Sequence, residues 1–278
     1  MAIWTPQHRP SWKQGFARGP AEARYPGLWK GLVGAWFPSL GPTGLTLRDI
    51  SGRGNHGTLT SMDPATDWVV TEKGYALDFD GTNDYVNLGV PKVLTAGVAT
   101  LSCFCWFRTA NLAADQRTIW ASPTVANNTF GIWMDTDEGA DGWACGVWDS
   151  ADASTIIGTT TASAIANQFQ HVGFTSQQGK VNGQILYVDG SPVAQANARA
   201  SLQVAQVLML ARVSNSPNYG AIQVLSADIW DRVLSPNEIQ LLYEEPDALV
   251  MQRQRVYPAA VAAVGYTVPL SHILENSA

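Results

Sequence analysis

Sandwich domains of roughly 200 to 250 residues fold undivided, so a chain of 278 residues can be one domain with extensions. Only 14% of the residues are charged, and the net charge of -6 is split: residues 1–30 carry five bases against one acid, while the remainder carries 12 bases against 22 acids. An acidic body excludes a nucleic-acid partner, and the lack of any run of 18 apolar residues excludes a helical membrane span.

The first 30 residues interleave Pro6, Pro10, Pro20 and Pro26 with Trp4, Trp12, Phe16, Tyr25 and Trp29. Proline interrupts regular structure every few residues, yet the aromatics have much area to bury, so the stretch is expected to be an extended arm that grips a partner. Its opening, MAIWTPQHRPSWKQGF, has no uninterrupted apolar core and so gives no sign of a secretory leader.

From residue 31 the pattern changes to short apolar or alternating runs separated by turn residues. GLVGAWF at 31, HGTLT at 56, YALDFD at 75, DYVNL at 84 and ATLSCFCWFRT at 99 have strand lengths. RTIWAS at 117, NTFGIWMD at 128, GWACGVWD at 142, QHVGFTS at 170, GQILYVDG at 183, VAQVLMLA at 204 and AIQVLSADIWD at 221 continue the series. About a dozen strands almost without helices predict two packed antiparallel sheets.

LSPNEIQLLYEEP carries the single strong helix signal. Ser235 is a good N-cap, Pro236 suits the first helical position, and Glu238 completes a capping box ahead of Ile239, Leu242 and Tyr243. The apolar tail beyond it, with Arg253, Arg255 and Tyr257, is expected to be a second arm. The predicted organisation is an arm at 1–30, a sandwich at 31–246 and an arm at 247–278. Cys103, Cys105 and Cys145 are odd in number and imply no disulfide framework.

DISGRGNHGTLT, residues 49–60, spells G-x-G-x-x-G, but a dinucleotide loop needs a helix at the last glycine, and here Thr58 to Pro64 cannot start one. Consecutive tight turns are the expected use of these glycines, with Asp49 and Ser51 bonding their own loop. The acids of MDTDEGADGW fall between two strands and read as a solvated turn.

GLVGAWFPS (31–39), LRDISGRGNHGTLT (47–60), YALDFDGTNDYVNLG (75–89), FQHVGFT with GQILYVDGSPVA (169–194) and ADIWDRVLSPNEIQLLYEEP (227–246) follow one another as in LamG-like jelly rolls. The chain thus resembles members of the concanavalin A-like lectin/glucanase superfamily, with Phe169-Gln170-His171 standing where the family shows Trp-His-His. The resemblance implies an all-β, two-sheet antiparallel jelly roll. It also implies a calcium ion held between loops, for which Asp49 and Asp80 match by position; no other cofactor follows. The E-x-D-x-x-E string of the related glucanases is absent.

Exposed aromatics would serve a carbohydrate ligand, and Trp133, Trp143 and Trp148 are the candidates in the central strands. The combined expectation is a non-enzymatic structural and binding protein displayed on a virion as a capsid decoration or fibre component. Its arms would join copies of itself and capsid proteins: Trp4, Trp12, Phe16, Tyr25 and Trp29 on one side, Arg253, Arg255 and Tyr257 on the other. The alternatives are a calcium-dependent lectin-like module binding surface glycans and a glycan hydrolase.

Overall fold

The computed structural model describes residues 10–13, 15–95, 98–112, 116–122, 129–135, 142–149, 154–159, 163–199, 207–212 and 219–253. Its strands are β1 (Leu32–Trp36), β2 (Thr46–Leu47), β3 (Gly57–Thr60), β4 (Trp68–Thr71), β5 (Gly74–Asp78) and β6 (Tyr85–Asn87). A one-turn helix α1 (Lys92–Thr95) precedes β7 (Thr100–Arg108), β8 (Gln116–Ser122), β9 (Phe130–Asp135), β10 (Gly142–Trp148) and β11 (Ser154–Gly158). Then come β12 (Gln170–Gln177), β13 (Gln184–Val188), β14 (Ser191–Ala196), β15 (Val207–Leu210), β16 (Gln223–Trp230) and helix α2 (Pro236–Glu244).

All pairings between these strands are antiparallel, and they build two eight-stranded sheets. The first runs β14-β13-β12-β7-β16-β5-β4, with β1 joined to β16; the second runs β11-β10-β9-β8-β15-β6-β3-β2. Phe107, Ile119, Phe130, Ile132, Trp143, Val172, Phe174 and Ile229 fill the layer between them, as inward positions of a sandwich should. The expected jelly-roll class is the observed one. β2, β4, β11 and β14 are additions to the twelve strands read from sequence.

A second apolar layer covers the outer face of the first sheet, where Phe104, Tyr187 and Trp230 meet Phe16, Leu28, Trp29, Ile239, Leu242 and Leu249. The described part of the N-terminal segment, read from the sequence as an arm that grips a partner, packs on this layer of its own chain. Trp29 is 8% exposed and Phe16 5% exposed, and Trp12 and Tyr25 pack against the same layer. Trp29 Nε1 donates to the Leu249 carbonyl at 3.1 Å, Trp230 Nε1 donates to the Leu28 carbonyl at 2.7 Å, and Trp12 stacks edge-on to Phe16 at 4.7 Å. The aromatic area of Trp12, Phe16, Tyr25 and Trp29 is thus covered within the chain.

The segment after α2 joins this layer: Ala23 bridges Gln252, and Arg253 N donates to the Glu22 carbonyl at 2.7 Å. Arg253 is exposed beside this bridge, whereas Trp4, Arg255 and Tyr257 lie outside the described residues. Described residues on both sides of 31–246 thus pack against the sandwich. Helix α2 starts as read from sequence, with Ser235 Oγ accepting from Glu238 N at 3.3 Å and Glu238 Oε2 accepting from Ser235 N at 2.8 Å. The three cysteines are unbonded and buried, which raises each thiol above its ordinary pKa. No helix among the described residues is long and apolar enough to cross a membrane.

Candidate functional site

The 49–57 loop is built around one carboxylate. Asp49 Oδ1 accepts from Ala35 N at 3.1 Å and Ser51 N at 2.8 Å, while Oδ2 accepts from Ser51 Oγ and Asn55 N, each at 2.8 Å. His56 Nδ1 accepts from Asp49 N at 3.0 Å, and Gly52 and Gly54 have φ of 82° and 77°. The loop is therefore a set of turns tied to its own aspartate, with the histidine as a backbone fastener.

A carboxylate has about four lone-pair directions, and donors occupy all four at Asp49. Asp80 Oδ1 accepts from Thr82 N at 2.7 Å, Asn83 N at 3.2 Å and Asp84 N at 3.4 Å. Partial burial would raise the Asp80 pKa, but those donors outweigh it and hold the carboxyl low. Among the described residues no three His, Cys, Asp or Glu side chains are placed to hold a metal. The donor set at Asp49 and Asp80 does not fit calcium, because donors from β1 and from its own loop fill Asp49, and three amides of its own turn converge on Asp80 Oδ1.

Asp228 on β16 is buried near Asp49, and its Oδ1 has no hydrogen-bond partner. Burial first, and the Asp49 charge second, raise its pKa well above the ordinary carboxylate value.

The three tryptophans named from the sequence are all buried, which corrects their assignment as open sugar platforms. Trp143 points into the core with its ring edge-on to Phe107 at 4.6 Å. Trp133 and Trp148 lie on the outer face of the second sheet, 6.4 Å apart above Gly146, at 5% and 8% exposure. Sequence alone could not separate these cases, because alternation is hidden wherever both faces of a strand are covered. Of the other acids in that region, Asp137, Glu138 and Asp141 lie outside the described residues.

The open feature with convergent chemistry is a groove of about 940 Å³ at the end of α2. The β4–β5 turn supplies Glu72 and Lys73, β7 supplies Trp106, the loop before β12 supplies Asn167, Gln168 and Phe169, and the β13–β14 hairpin supplies Asp189. Tyr243, Glu244 and Glu245 close it from α2. A pile of rings runs inward from its wall: Tyr243 to Trp106 at 5.9 Å with planes 9° apart, Trp106 to the buried His171 at 5.3 Å, and His171 to the buried Phe104 at 5.1 Å.

The pile is positioned by the fold. His171 and Trp106 are cross-strand partners of β12 and β7, and Trp106 Nε1 donates to the Leu242 carbonyl at 3.2 Å, which fixes α2 over the sheet. Gly190, at φ 79°, lets the hairpin pass beneath α2; a Cβ there would lie 2.6 Å from Gln240 Oε1 and 3.0 Å from the Tyr243 ring. Burial lowers the His171 pKa to about 3, so the ring is neutral, and its Nδ1 lacks a partner.

The polar rim is well anchored. Asp189 accepts from His171 N at 2.9 Å and from Gln170 Nε2 at 3.3 Å, and Glu245 accepts from the Tyr25 hydroxyl at 2.9 Å. Glu72 pairs with Arg108 at 3.2 Å, and Arg108 lies over the Phe169 ring at 4.6 Å. Lys73 Nζ sits 5.0 Å from the Trp106 ring centre. Burial, then the carboxylates of Asp189 and Glu244, raise the Tyr243 phenol above its ordinary pKa. None of these groove residues was singled out from the sequence as a site, although Phe169, one of the departures from the family pattern, lies in its wall.

Residues 80–240, more than half of the chain, match the family described as the concanavalin A-like lectin/glucanases superfamily. No curated protein matches the sequence. Among solved structures, the chain is similar to Trypanosoma rangeli sialidase in complex with sialic acid, with a TM-score of 0.58 and 16% identity over 79% of this chain and 34% of that one. It is also similar to the receptor binding domain of botulinum neurotoxin C/D mosaic serotype, with a TM-score of 0.61, 11% identity, and coverage of 78% of this chain and 51% of that one. The binding domain of Paraclostridial Mosquitocidal Protein 1 gives a TM-score of 0.61 and 14% identity over 78% and 52% of the two chains. The chain thus spans between a third and about half of these proteins, and at such identities the likeness is one of fold.

Proposed function

The chain belongs to the concanavalin A-like lectin/glucanases superfamily, and from that premise we propose that it is a non-enzymatic carbohydrate-binding protein whose ligand lies in the groove of Trp106, Phe169 and Tyr243. The observation that carries the reading is the groove itself, in which the partly exposed Tyr243 ring, backed by the buried Trp106, shares the lining with Asn167, Gln168, Asp189 and Glu244. Aromatic surface suits the C–H face of a sugar ring, and a few placed amides and carboxylates suit its hydroxyls. Two neighbours are described as binding domains and one is a sialidase, so the fold is compatible with binding and the groove's own residues carry the choice.

Against hydrolysis, the groove carboxylates are engaged in holding the structure: Asp189 by the β12 backbone, Glu245 by Tyr25, Glu72 by Arg108 and Glu244 by Gln240 Nε2 at 2.9 Å. A retaining or inverting hydrolase needs one acid to protonate the leaving group and another to attack or to activate water. Display on a virion in homo-oligomeric copies, attached to capsid proteins through the terminal arms read from the sequence at 1–30 and 247–278, belongs to the same proposal.

A glycan array read with the full chain tests the binding function. Retention of at least one neutral glycan that is lost in Tyr243→Ala is the expected result. Release of new reducing ends from a bound glycan would replace the reading with the hydrolase. Sedimentation of the full chain as a monomer would remove the oligomeric part.

A further inference from the structure

A second patch of different chemistry lies on the outer face of the second sheet. Val86 points into the core, so its neighbour Tyr85 stands on the opposite face of β6, where Thr60 of β3 is its cross-strand partner. Arg212, just past β15, forms an isolated bridge with Tyr219. Its guanidinium carbon lies 4.6 Å from the Tyr85 ring centre and 5.2 Å from that of Tyr219. The two rings are 6.4 Å apart and inclined by 45°. These distances put the guanidinium in the corner between the rings, covered on two sides rather than sandwiched.

No ion pair among the described residues involves the charge in that corner. Among the ion pairs of the described residues, the arginines engaged are Arg24, Arg108, Arg199 and Arg232; Arg212 is absent from them. Its Nε is buried without an acceptor. A buried N–H of a charged group left without an acceptor is costly, and a guanidinium edge matches the two oxygens of a carboxylate. Thr58 and Asn87, exposed cross-strand partners beside Tyr85, add hydroxyl and amide groups to the same face.

We infer that Tyr85, Arg212 and Tyr219 form a subsite for the carboxylate of an acidic sugar, with the tyrosine rings flanking the ligand and Thr58 and Asn87 meeting its hydroxyls. One arginine on a chain of net charge -6 suits a single carboxylate and disfavours polyanions such as sulfated chains or nucleic acid. The subsite is separate from the groove, which the opposite sheet and α2 build, so either can fail without the other.

The test is a titration of the full chain, followed by NMR, with methyl glucuronide, methyl glucoside and acetate as probes. Methyl glucuronide is expected to bind at least about tenfold more tightly than either of the others, because a charge-assisted bidentate contact and the ring contacts act together. Arg212→Ala is expected to abolish that advantage, Arg212→Lys to retain part of it while keeping the fold, and Tyr243→Ala to leave it unchanged. Equal affinity for glucuronide and glucoside would overturn the inference, as would acetate binding as tightly as glucuronide. Glucuronide binding that survives in both Arg212 variants, or no glucuronide binding in the unaltered chain, would also overturn it.

Discussion

Replacing Trp29 with alanine separates a domain element from an assembly arm. Trp29 is 8% exposed, packs in the layer formed with Phe16, Leu28, Trp230 and Leu249, and donates its indole N–H to the Leu249 carbonyl at 3.1 Å. Truncating a buried tryptophan costs about 3 to 5 kcal/mol through lost transfer energy and the cavity left behind. The lost indole hydrogen bond, itself buried, places the expectation toward the upper end of that range. Urea denaturation followed by tryptophan fluorescence measures it, with light scattering on the same samples to report association. A loss under about 1 kcal/mol together with a change in association state would refute the reasoning, because a side chain gripping a partner leaves the isolated domain's stability intact.

Three further outcomes follow from the buried polar groups. Asp49→Ala should cost about 3 kcal/mol or more in the same denaturation assay, since the amides of Ala35, Ser51 and Asn55 lose their acceptor, and chelator should leave the unaltered chain's melting temperature unchanged. His171 has a folded pKa of about 3 against an ordinary 6.5, so the unfolded chain binds the extra proton. Its contribution to stability is complete above pH 6.5 and is lost toward pH 3, at up to about 1.4 kcal/mol per pH unit. Asp228 acts in the opposite sense: its raised folded pKa means that the folded chain holds the proton, so its contribution is complete below the unfolded pKa and falls as pH rises. Asp228→Asn should therefore stabilise the protein at pH 7, with the gain shrinking to nothing near pH 4, and should make the acid sensitivity due to His171 steeper in a pH series of denaturation curves.

The strands and α2 could be read from the sequence because their signals are local: turn residues, short apolar runs and the Ser235–Glu238 capping box. The destination of the N-terminal segment could not, because proline-broken stretches have no periodicity to say which face they cover. The relevant signal lay elsewhere, in TLSCFCWFR of β7, whose unbroken apolar run and nearly complete burial report a strand covered on both faces. With only the inter-sheet core to cover it, such a strand would alternate; its outward Phe104 and Trp106 call for a second layer, and residues 16–29 with α2 provide it.

The groove was hidden for a related reason. Trp106, Phe169 and Tyr243 come from three elements far apart in the chain, and only the register of β7 with β12 and the docking of α2 through the Leu242 carbonyl bring them together. Asp49 was correctly placed in a turn, but its hydrogen bonds, which leave no oxygen for a cation, depend on Ala35 from another strand.

Calorimetric titration of a neutral oligosaccharide, chosen by array, into the unaltered chain and into Tyr243→Ala tests the central claim that the α2 groove is the carbohydrate site. The account predicts saturable binding that weakens by at least about tenfold, or 1.4 kcal/mol, in the variant while its circular dichroism is unchanged. Equal affinity in both proteins would place the ligand elsewhere and contradict the account.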